Sequence, residues 1–193
     1  MLKFEDDFAR REFLGREALK EIQLLHPGKF KYQLQFNTDK YGCYDAFYFV
    51  IDENQQLVKR VWIEIKIRDT VYDKYILETK KHSGILSEIK RMFLTTEDVT
   101  ILYLNLCPNE SYIYNITDIS KYKIEVLKAN KQTSISRTVK IDKNVIYLDP
   151  NDGVKLNYIM NEKELEYKEI LRRKVNVISK EIKKIGLEGV LWN

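Results

Sequence analysis

The sequence is poor in the residues that build disulfides and zinc centres. Its 193 residues include two cysteines, Cys43 and Cys107, and two histidines. Both cysteines lie in or at the end of apolar runs, where buried free thiols in a reducing compartment are the simplest interpretation. Because these four side chains have no close spacing, the sequence argues against a zinc site.

Long apolar runs are also missing. No apolar stretch reaches the length that a bilayer-spanning helix needs, and residues 1–7 lack the pattern of a signal peptide. We therefore expect a soluble, cytoplasmic protein that does not enter a membrane. No internal repeat or low-complexity linker divides the chain, which favours a single domain.

Neither sign of charge dominates the composition. The chain has 33 Lys and Arg against 29 Asp and Glu, which gives a net charge of +4 and a pI of about 8.8. This balance is compatible with a polyanionic partner but does not require one. With 44% hydrophobic residues, including 13 Tyr and 8 Phe, the chain can form a packed core, and its composition argues against disorder.

Residues 61–68, Val-Trp-Ile-Glu-Ile-Lys-Ile-Arg, alternate in the manner of a β-strand. The odd positions are all β-branched, which predicts one apolar face packed on the core. The even positions, among them Glu64 and Lys66, share the opposite face. Taken by itself, the pattern is typical of a half-exposed strand with a solvated face of mixed charge.

A second strand-like run, residues 42–51, carries one acid, Asp45, among aromatic and aliphatic neighbours. An ionised Asp in such surroundings is costly unless it is paired, hydrogen-bonded or bound to a metal. Residues 52–56 have turn composition, and a hairpin there would bring Asp45 beside Glu64. Two carboxylates held that close need a cation between them or a proton on one of them. Mg²⁺ is the natural cation, because it accepts carboxylates, a carbonyl and waters as ligands.

The combination of Asp45 with Glu64-Ile65-Lys66 on the next strand resembles the motif of the PD-(D/E)XK nuclease superfamily. Tyr44 stands where many members have proline. The resemblance covers residues 4–115 and implies that Asp45, Glu64 and the main-chain carbonyl of Ile65 bind Mg²⁺, or Mn²⁺ in its place. It also implies that Lys66 orients the attacking water or stabilises charge on the phosphate, and both roles stay open.

The order of predicted elements agrees with that resemblance. Helices are predicted over residues 5–25 and 79–95, and strands over residues 30–36, 42–51, 61–68, 99–107 and 112–116. The nearly continuous apolar run 99–107 is typical of a buried strand, and its place after a helix favours a parallel crossover. We therefore predict an α/β protein with a restriction-endonuclease-like core, in which helices flank a mixed central β-sheet.

The resemblance also implies further site residues on the two helices. The first helix of the superfamily often supplies a glutamate to the metal or its water shell, and Glu17, with Glu21 as runner-up, lies within the apolar arc of this helix. The alternative is that these carboxylates pair with basic residues nearby. The second helix often directs a lysine at the site, and Lys81 is preferred to Lys80. The competing interpretation is a pair of solvated lysines.

Within a single domain 1–193, residues 117–193 are expected to form an extension packed on the 1–116 core. This extension has strand candidates at 124–127, 138–141 and 143–148, followed by a long, highly charged helix over 162–185. The polar, basic stretch 128–137 is predicted to be a loop. It is either an ordinary surface loop or one that contacts a phosphate backbone.

The resemblance implies a metal-dependent DNA endonuclease that leaves a 5′-phosphate and a 3′-hydroxyl. The Gln-x-x-x-Tyr signature of exonuclease-like members does not follow Lys66, which favours endonucleolytic action. Junction-resolving members share this layout and act as homodimers, although their appended regions are usually smaller than residues 117–193. The alternatives are a catalytically inactive nuclease-fold module that binds nucleic acid or protein, and an unrelated α/β protein with a coincidental Glu-x-Lys.

Overall fold

A computed structural model describes residues 7–24, 31–39, 42–95, 99–132 and 136–184. These residues form three α-helices and nine β-strands, with a short 3-10 turn at Pro150–Asp152. The helices are α1 (Asp7–Leu24), α2 (Thr79–Arg91) and α3 (Glu162–Lys184). The strands are β1 (Lys31–Phe36), β2 (Ala46–Ile51), β3 (Leu57–Ile67), β4 (Tyr75–Glu78), β5 (Val99–Leu106), β6 (Ser111–Asn115), β7 (Glu125–Gln132), β8 (Ser136–Leu148) and β9 (Val154–Leu156).

The central sheet has six strands in the order β1-β2-β3-β5-β6-β9. β3 pairs with β5 in parallel, and the other neighbouring pairs are antiparallel. The crossover from β3 to β5 runs through β4 and α2, so the predicted parallel crossover is confirmed. The predicted fold class is also confirmed: a mixed central sheet is flanked by helices, consistent with a restriction-endonuclease-like core.

β3 is covered on both of its faces. Its odd-numbered residues from Val61 to Ile67 pack with α1 in one apolar cluster, and Trp62 packs with β4 and α2 in another. Glu64 lies on the same face as Trp62 and is fully buried. The interpretation of this face as half-exposed and solvated is therefore wrong at Glu64, where the carboxylate is enclosed by the fold.

A second, antiparallel sheet has the strand order β4-β8-β7. The strand candidates 138–141 and 143–148 belong to one continuous strand, β8. The predicted loop 128–137 is wrong over residues 128–132, which belong to β7, and over residues 136–137, which begin β8; residues 133–135 lie outside the described residues. The alternation of apolar and polar residues is weak here, because cross-strand pairing rather than deep burial holds this largely exposed hairpin.

The C-terminal elements join the rest of the chain at three places. β8 pairs with β4, β9 extends the central sheet beside β6, and α3 lies against α1. Ion pairs between Arg10 and Glu162 and between Glu21 and Lys168 connect the two helices. The predicted C-terminal β segment and long helix are thus present, and the helices of the described residues contain no stretch long and apolar enough to cross a bilayer.

Candidate active site

Asp45 is fixed immediately before β2 by hydrogen bonds to its backbone and its side chain. Its N–H donates to the Ile63 carbonyl at 2.9 Å, and its carbonyl accepts from the Asn37 N–H at 2.9 Å. The carboxylate oxygen Oδ2 accepts a hydrogen bond from the Ile65 N–H at 2.6 Å. The Asp45 carboxylate therefore lies directly against the strand that carries Glu64.

Residues 42–45, here called the Asp45 segment, are also connected to α1 through Asn37. The Arg16 guanidinium donates to the Asn37 carbonyl at 2.8 Å, and the Asn37 side-chain amide donates to the Tyr44 carbonyl at 3.0 Å. α1 approaches β3 closely at Gly15, where an added Cβ would lie 3.2 Å from Cγ2 of Ile65. These contacts hold α1 and the Asp45 segment in fixed positions beside the middle of β3.

Glu64 lies between two lysines and is inaccessible to solvent. The Lys66 ammonium is 2.7 Å from Glu64 Oε1. The Lys81 ammonium, from the first turn of α2, is 3.4 Å from the same oxygen and donates to the Gly42 carbonyl at 3.0 Å. Lys80 is exposed. The structure therefore brings Asp45, Glu64, Lys66 and Lys81 together and leaves Lys80 on the surface.

Helix α2 approaches the Asp45 segment because Gly84 has no side chain. A Cβ at Gly84 would lie 2.6 Å from Cβ of Cys43, a separation that real Cβ atoms essentially never show. Glycine has a low helix propensity, and the close contact with Cys43 explains why a glycine stands at this helical position. The close contact places the first turn of α2, with Lys81, beside Glu64.

Burial and charge have opposing effects on the ionisable groups of the site. Burial, together with repulsion from Glu64, raises the pKa of Asp45 to about 7, although the Ile65 N–H and the lysines act in the opposite direction. Burial is the largest single effect on Lys66 and disfavours its charged form, but the attractions of Glu64, Tyr103 and Asp45 together outweigh it, so the net pKa of Lys66 is raised. The carboxylate pair therefore favours either a proton or an additional cation near neutral pH.

The donor set of the site fits a hard divalent cation. Asp45 and Glu64 supply carboxylate oxygens, and Mg²⁺ in proteins binds one or two carboxylates while it keeps several waters. The Ile65 carbonyl lies on the same edge of β3 as the Ile63 carbonyl, since alternate residues of a strand direct their backbone groups to one side. In the described part of the chain, no three His, Cys, Asp or Glu side chains form a metal-binding group. Main-chain and water ligands would therefore complete the coordination.

The structure places Glu17 and Glu21 at the contact between α1 and α3. Glu17 is buried and pairs with Lys20 at 2.5 Å and with Arg172 of α3, and Glu21 pairs with Lys168. The expectation that Glu17 or Glu21 faces the metal site is corrected by this placement. The apolar arc of α1 is shared between the sheet and α3, and both glutamates lie on the part that faces α3.

The cleft-lining acids of α1 are instead Asp7 and Glu12, which the sequence pattern did not single out. Glu12 pairs with Arg16 one turn further along the helix. The residues of α1 that line the cleft are Asp7, Arg11, Glu12, Gly15 and Arg16. Their spacing marks one helical face, and the glycine within it is the sequence signal for the face that approaches the sheet.

Asp45, Glu64, Lys66 and Lys81 line a cleft of about 1170 Å³. α1 packs on one face of the central sheet and β4 on the other, and residues of both elements line the cleft. The hairpin β7–β8 contributes three lysines. Lys143 pairs with Glu78 at 2.8 Å, whereas Lys128 and Lys140 are exposed. A carboxylate pair therefore shares one cleft with a basic wall.

The chain was compared with protein families, curated proteins and solved structures. No protein-family model matches the chain, and no curated protein matches it. Among solved structures, the chain is similar to Hjc, a Holliday junction resolvase from the archaeal hyperthermophile Archaeoglobus fulgidus. Their sequence identity is 10% and the TM-score is 0.40, with 72% of this chain and 93% of that chain covered.

Proposed function

We propose that the protein is a metal-dependent DNA endonuclease of the PD-(D/E)XK superfamily. The observation that carries the proposal is the meeting of two carboxylates, Asp45 and Glu64, with two ammonium groups, Lys66 and Lys81, in one cleft. Hydrolysis of a phosphodiester needs a cation that offsets phosphate charge and fixed positive groups that stabilise the transition state. The two pairs of side chains have the chemistry for these two tasks.

Asp45, Glu64 and the Ile65 carbonyl are the groups that would hold Mg²⁺, or Mn²⁺ in its place. When bound, the ion offsets charge on the phosphate and lowers the pKa of a coordinated water. The hydrogen bond from the Ile65 N–H fixes one oxygen of Asp45, so that the other oxygen remains available as a ligand. Burial of Glu64 keeps its carboxylate in one position between the lysines.

Lys66 acts on the reacting phosphate in this proposal. Its ammonium lies 2.7 Å from the Glu64 carboxylate, and it orients the attacking water or donates to a phosphate oxygen as negative charge develops there. The water oxygen forms a bond to phosphorus and loses a proton to solvent. The bond from phosphorus to the 3′ oxygen breaks, and that oxygen takes up a proton, which yields a 5′-phosphate and a 3′-hydroxyl.

The exposed lysines of the β7–β8 hairpin support nucleic acid as the substrate. Lys128 and Lys140 line the cleft and form no ion pair within the described residues. Lysines near phosphates release counterions and supply affinity without sequence preference. We propose DNA rather than another polyanion as the substrate because the sequence resembles the nuclease superfamily. Junction-resolving members of that superfamily act as homodimers, so a homodimer is compatible with the proposal.

The proposal is tested by cleavage of supercoiled plasmid, circular single-stranded DNA and a four-way junction. Each substrate is incubated with Mg²⁺, with Mn²⁺ and with EDTA, for the native protein and for Lys66→Ala. We expect cutting that requires the metal and falls about 100- to 1000-fold in the variant, because one fixed charge at the transition state has that effect. The preferred substrate then defines the class of DNA.

Two results would contradict the proposal. Cutting that persists in EDTA or in the variant would show that the reaction occurs elsewhere or in a contaminant. Binding of these DNAs by a folded protein without cutting of any of them would identify a nuclease fold retained for binding alone. The variant Lys59→Ala is the matched control, because Lys59 is an exposed lysine on the same strand, outside the cleft.

A further inference from the structure

Arg68 follows the last residue of β3 and lines the cleft. Its guanidinium donates to three neutral acceptors: the side-chain oxygen of Asn105 at 3.2 Å, the Tyr103 hydroxyl at 3.2 Å and the Ile76 carbonyl at 3.4 Å. The Tyr103 hydroxyl itself donates to the Ile76 carbonyl at 2.7 Å. These contacts with β4 and β5 hold the guanidinium in a fixed orientation.

The charge of Arg68 has no counter-ion among the described residues. The other two arginines that line the cleft are both paired: Arg11 with Asp69 at 2.9 Å and Arg16 with Glu12. An arginine stays charged at any physiological pH, and a partly buried charge without a counter-ion is costly. Arg68 therefore keeps a positive charge in the cleft that an anion would stabilise.

The hydrogen-bonding capacity of Arg68 is also incompletely used. A guanidinium has five N–H groups. The three hydrogen bonds of Arg68 use Nε and Nη2, and Nη1 makes no hydrogen bond within the part of the chain that the structure describes. Both N–H groups of Nη1 are thus available to phosphate oxygens, and such bonds between charged partners are about twice as strong as neutral ones.

Arg68 stands two residues beyond Lys66 on the same side of the strand. Two residues of a strand span about 7 Å. The register of β3 with β5 places Tyr103 beside Glu64 and Asn105 beside Lys66, so the partners that hold Arg68 are direct neighbours of the candidate catalytic groups. The guanidinium and the Lys66 ammonium accordingly form two separate positive positions along one edge of the cleft.

We propose that Arg68 binds a phosphate of the substrate strand adjacent to the phosphate at Lys66 and thereby positions the scissile bond. This inference rests on the proposed nuclease function for the identity of the anion. The guanidinium supplies a site for a second phosphate on the same strand. The polar contacts with Tyr103 and Asn105 prepare its geometry before the substrate binds.

The test measures DNA binding under conditions without cutting, and then cutting of the preferred substrate with Mg²⁺ by the same proteins. Native protein, Arg68→Gln, Arg68→Lys and Arg60→Gln are titrated against a fluorescein-labelled DNA duplex, in EDTA and in Ca²⁺, over about 50 to 200 mM salt. Arg60→Gln is the matched control, because Arg60 lies on the same face of β3 at its other end and does not line the cleft. The melting temperature of each variant is recorded in parallel.

We expect Arg68→Gln to weaken binding about tenfold, the change that about 1.4 kcal/mol produces. The negative slope of log K against log salt should become shallower by about 0.9, because one phosphate contact is lost. Arg68→Lys should keep the slope and lose part of the affinity, since lysine retains the charge without the planar fork. Arg60→Gln should behave as the native protein. A merely structural Arg68 would lower the melting temperature and leave affinity and slope unchanged, which would overturn the inference.

The two proposals fail in different ways. If the native protein cuts DNA and Arg68→Gln binds and cuts equally well, the phosphate site is wrong and the nuclease proposal stands. If the native protein binds DNA through Arg68 but cuts none with Mg²⁺, the nuclease proposal is wrong and the phosphate site stands. A native protein that binds no DNA contradicts both.

Discussion

Lys80 and Lys81 are neighbours in sequence with different surroundings. Lys81 contacts the Gly42 carbonyl and the Glu64 carboxylate, whereas Lys80 is exposed. The first turn of α2 turns by about 100° per residue, so only one of the two side chains can reach the cleft. Variants of the two lysines can therefore distinguish a direct role in the active site from a general effect of positive charge on DNA affinity.

We predict that Lys81→Ala lowers the rate of metal-dependent cutting about 100-fold, because it removes one of the two ammonium groups beside the carboxylate pair. Lys80→Ala removes the same charge from the adjacent position and should change the rate less than about threefold. Single-turnover cutting of the preferred substrate measures both rates. Equal losses in the two variants would assign Lys81 to general electrostatic attraction instead.

The residues of the site differ in how far the sequence predicts their placement. The positions of Glu64 and Lys66 follow from strict alternation within a single strand, which is a local property. The sequence predicts Glu17 at the metal site, but the surroundings of Glu17 depend on where α3 packs. Since α1 contacts both the sheet and α3, its apolar arc by itself does not show which acid faces which neighbour.

At the scale of elements, a close contact between Gly84 and Cys43 limits how α2 can lie against the Asp45 segment. Gly84 faces Cys43, and an added Cβ would lie 2.6 Å from the Cβ of that residue. Cβ of Cys43 is attached to the backbone of the Asp45 segment and cannot move aside as the end of a long side chain can. Any side chain at Gly84 therefore moves α2 relative to the carboxylates.

We predict that Gly84→Ala lowers the cutting rate about 100-fold, the effect of a displacement of about 1 Å in an active site. Alanine gains up to about 1 kcal/mol of helix propensity, and overpacking costs about 1 to 3 kcal/mol, so stability should change little compared with activity. Cutting rates and thermal melting measure the two effects.

Two further variants test whether the contact itself is responsible. Ser83→Ala changes an exposed residue of the same helix and should keep native activity. Adding Cys43→Gly to Gly84→Ala removes the atom that the new methyl group meets, and it should recover activity relative to Gly84→Ala alone. Native activity in Gly84→Ala would show that another contact fixes α2.

How well the sequence predicts a strand depends on whether burial or pairing with a distant strand stabilises it. β5 is nearly continuously apolar because it is buried in the middle of the central sheet, and its sequence therefore predicts its place. The β7–β8 hairpin is polar because it is largely exposed and joins the fold through pairing of β8 with β4. Its partner strand lies about 70 residues away, so the local sequence predicts only fragments of it.

At the scale of the whole molecule, the cleft depends on the C-terminal part of the chain. Lys143 of β8 pairs with Glu78 at 2.8 Å, and the Asn144 carbonyl accepts a hydrogen bond from the Thr79 hydroxyl at 3.1 Å. These bonds attach the hairpin to the start of α2, beside the first turn that carries Lys81. The basic wall and the candidate catalytic groups are therefore parts of one connected structure.

If the basic wall binds the phosphate backbone of the substrate, it should increase the affinity for DNA without changing the rate of the chemical step. We predict that the double variant Lys128→Gln/Lys140→Gln makes the negative slope of log K against log salt shallower by about 1.8 on duplex DNA, since each phosphate contact contributes about 0.9. Cutting at saturating DNA should keep its native rate, because neither lysine contacts the carboxylate pair. The control Lys59→Gln/Lys90→Gln removes two exposed charges outside the cleft and should leave the slope near its native value. Equal slopes for both double variants would mean that DNA approaches the candidate catalytic groups without touching the hairpin.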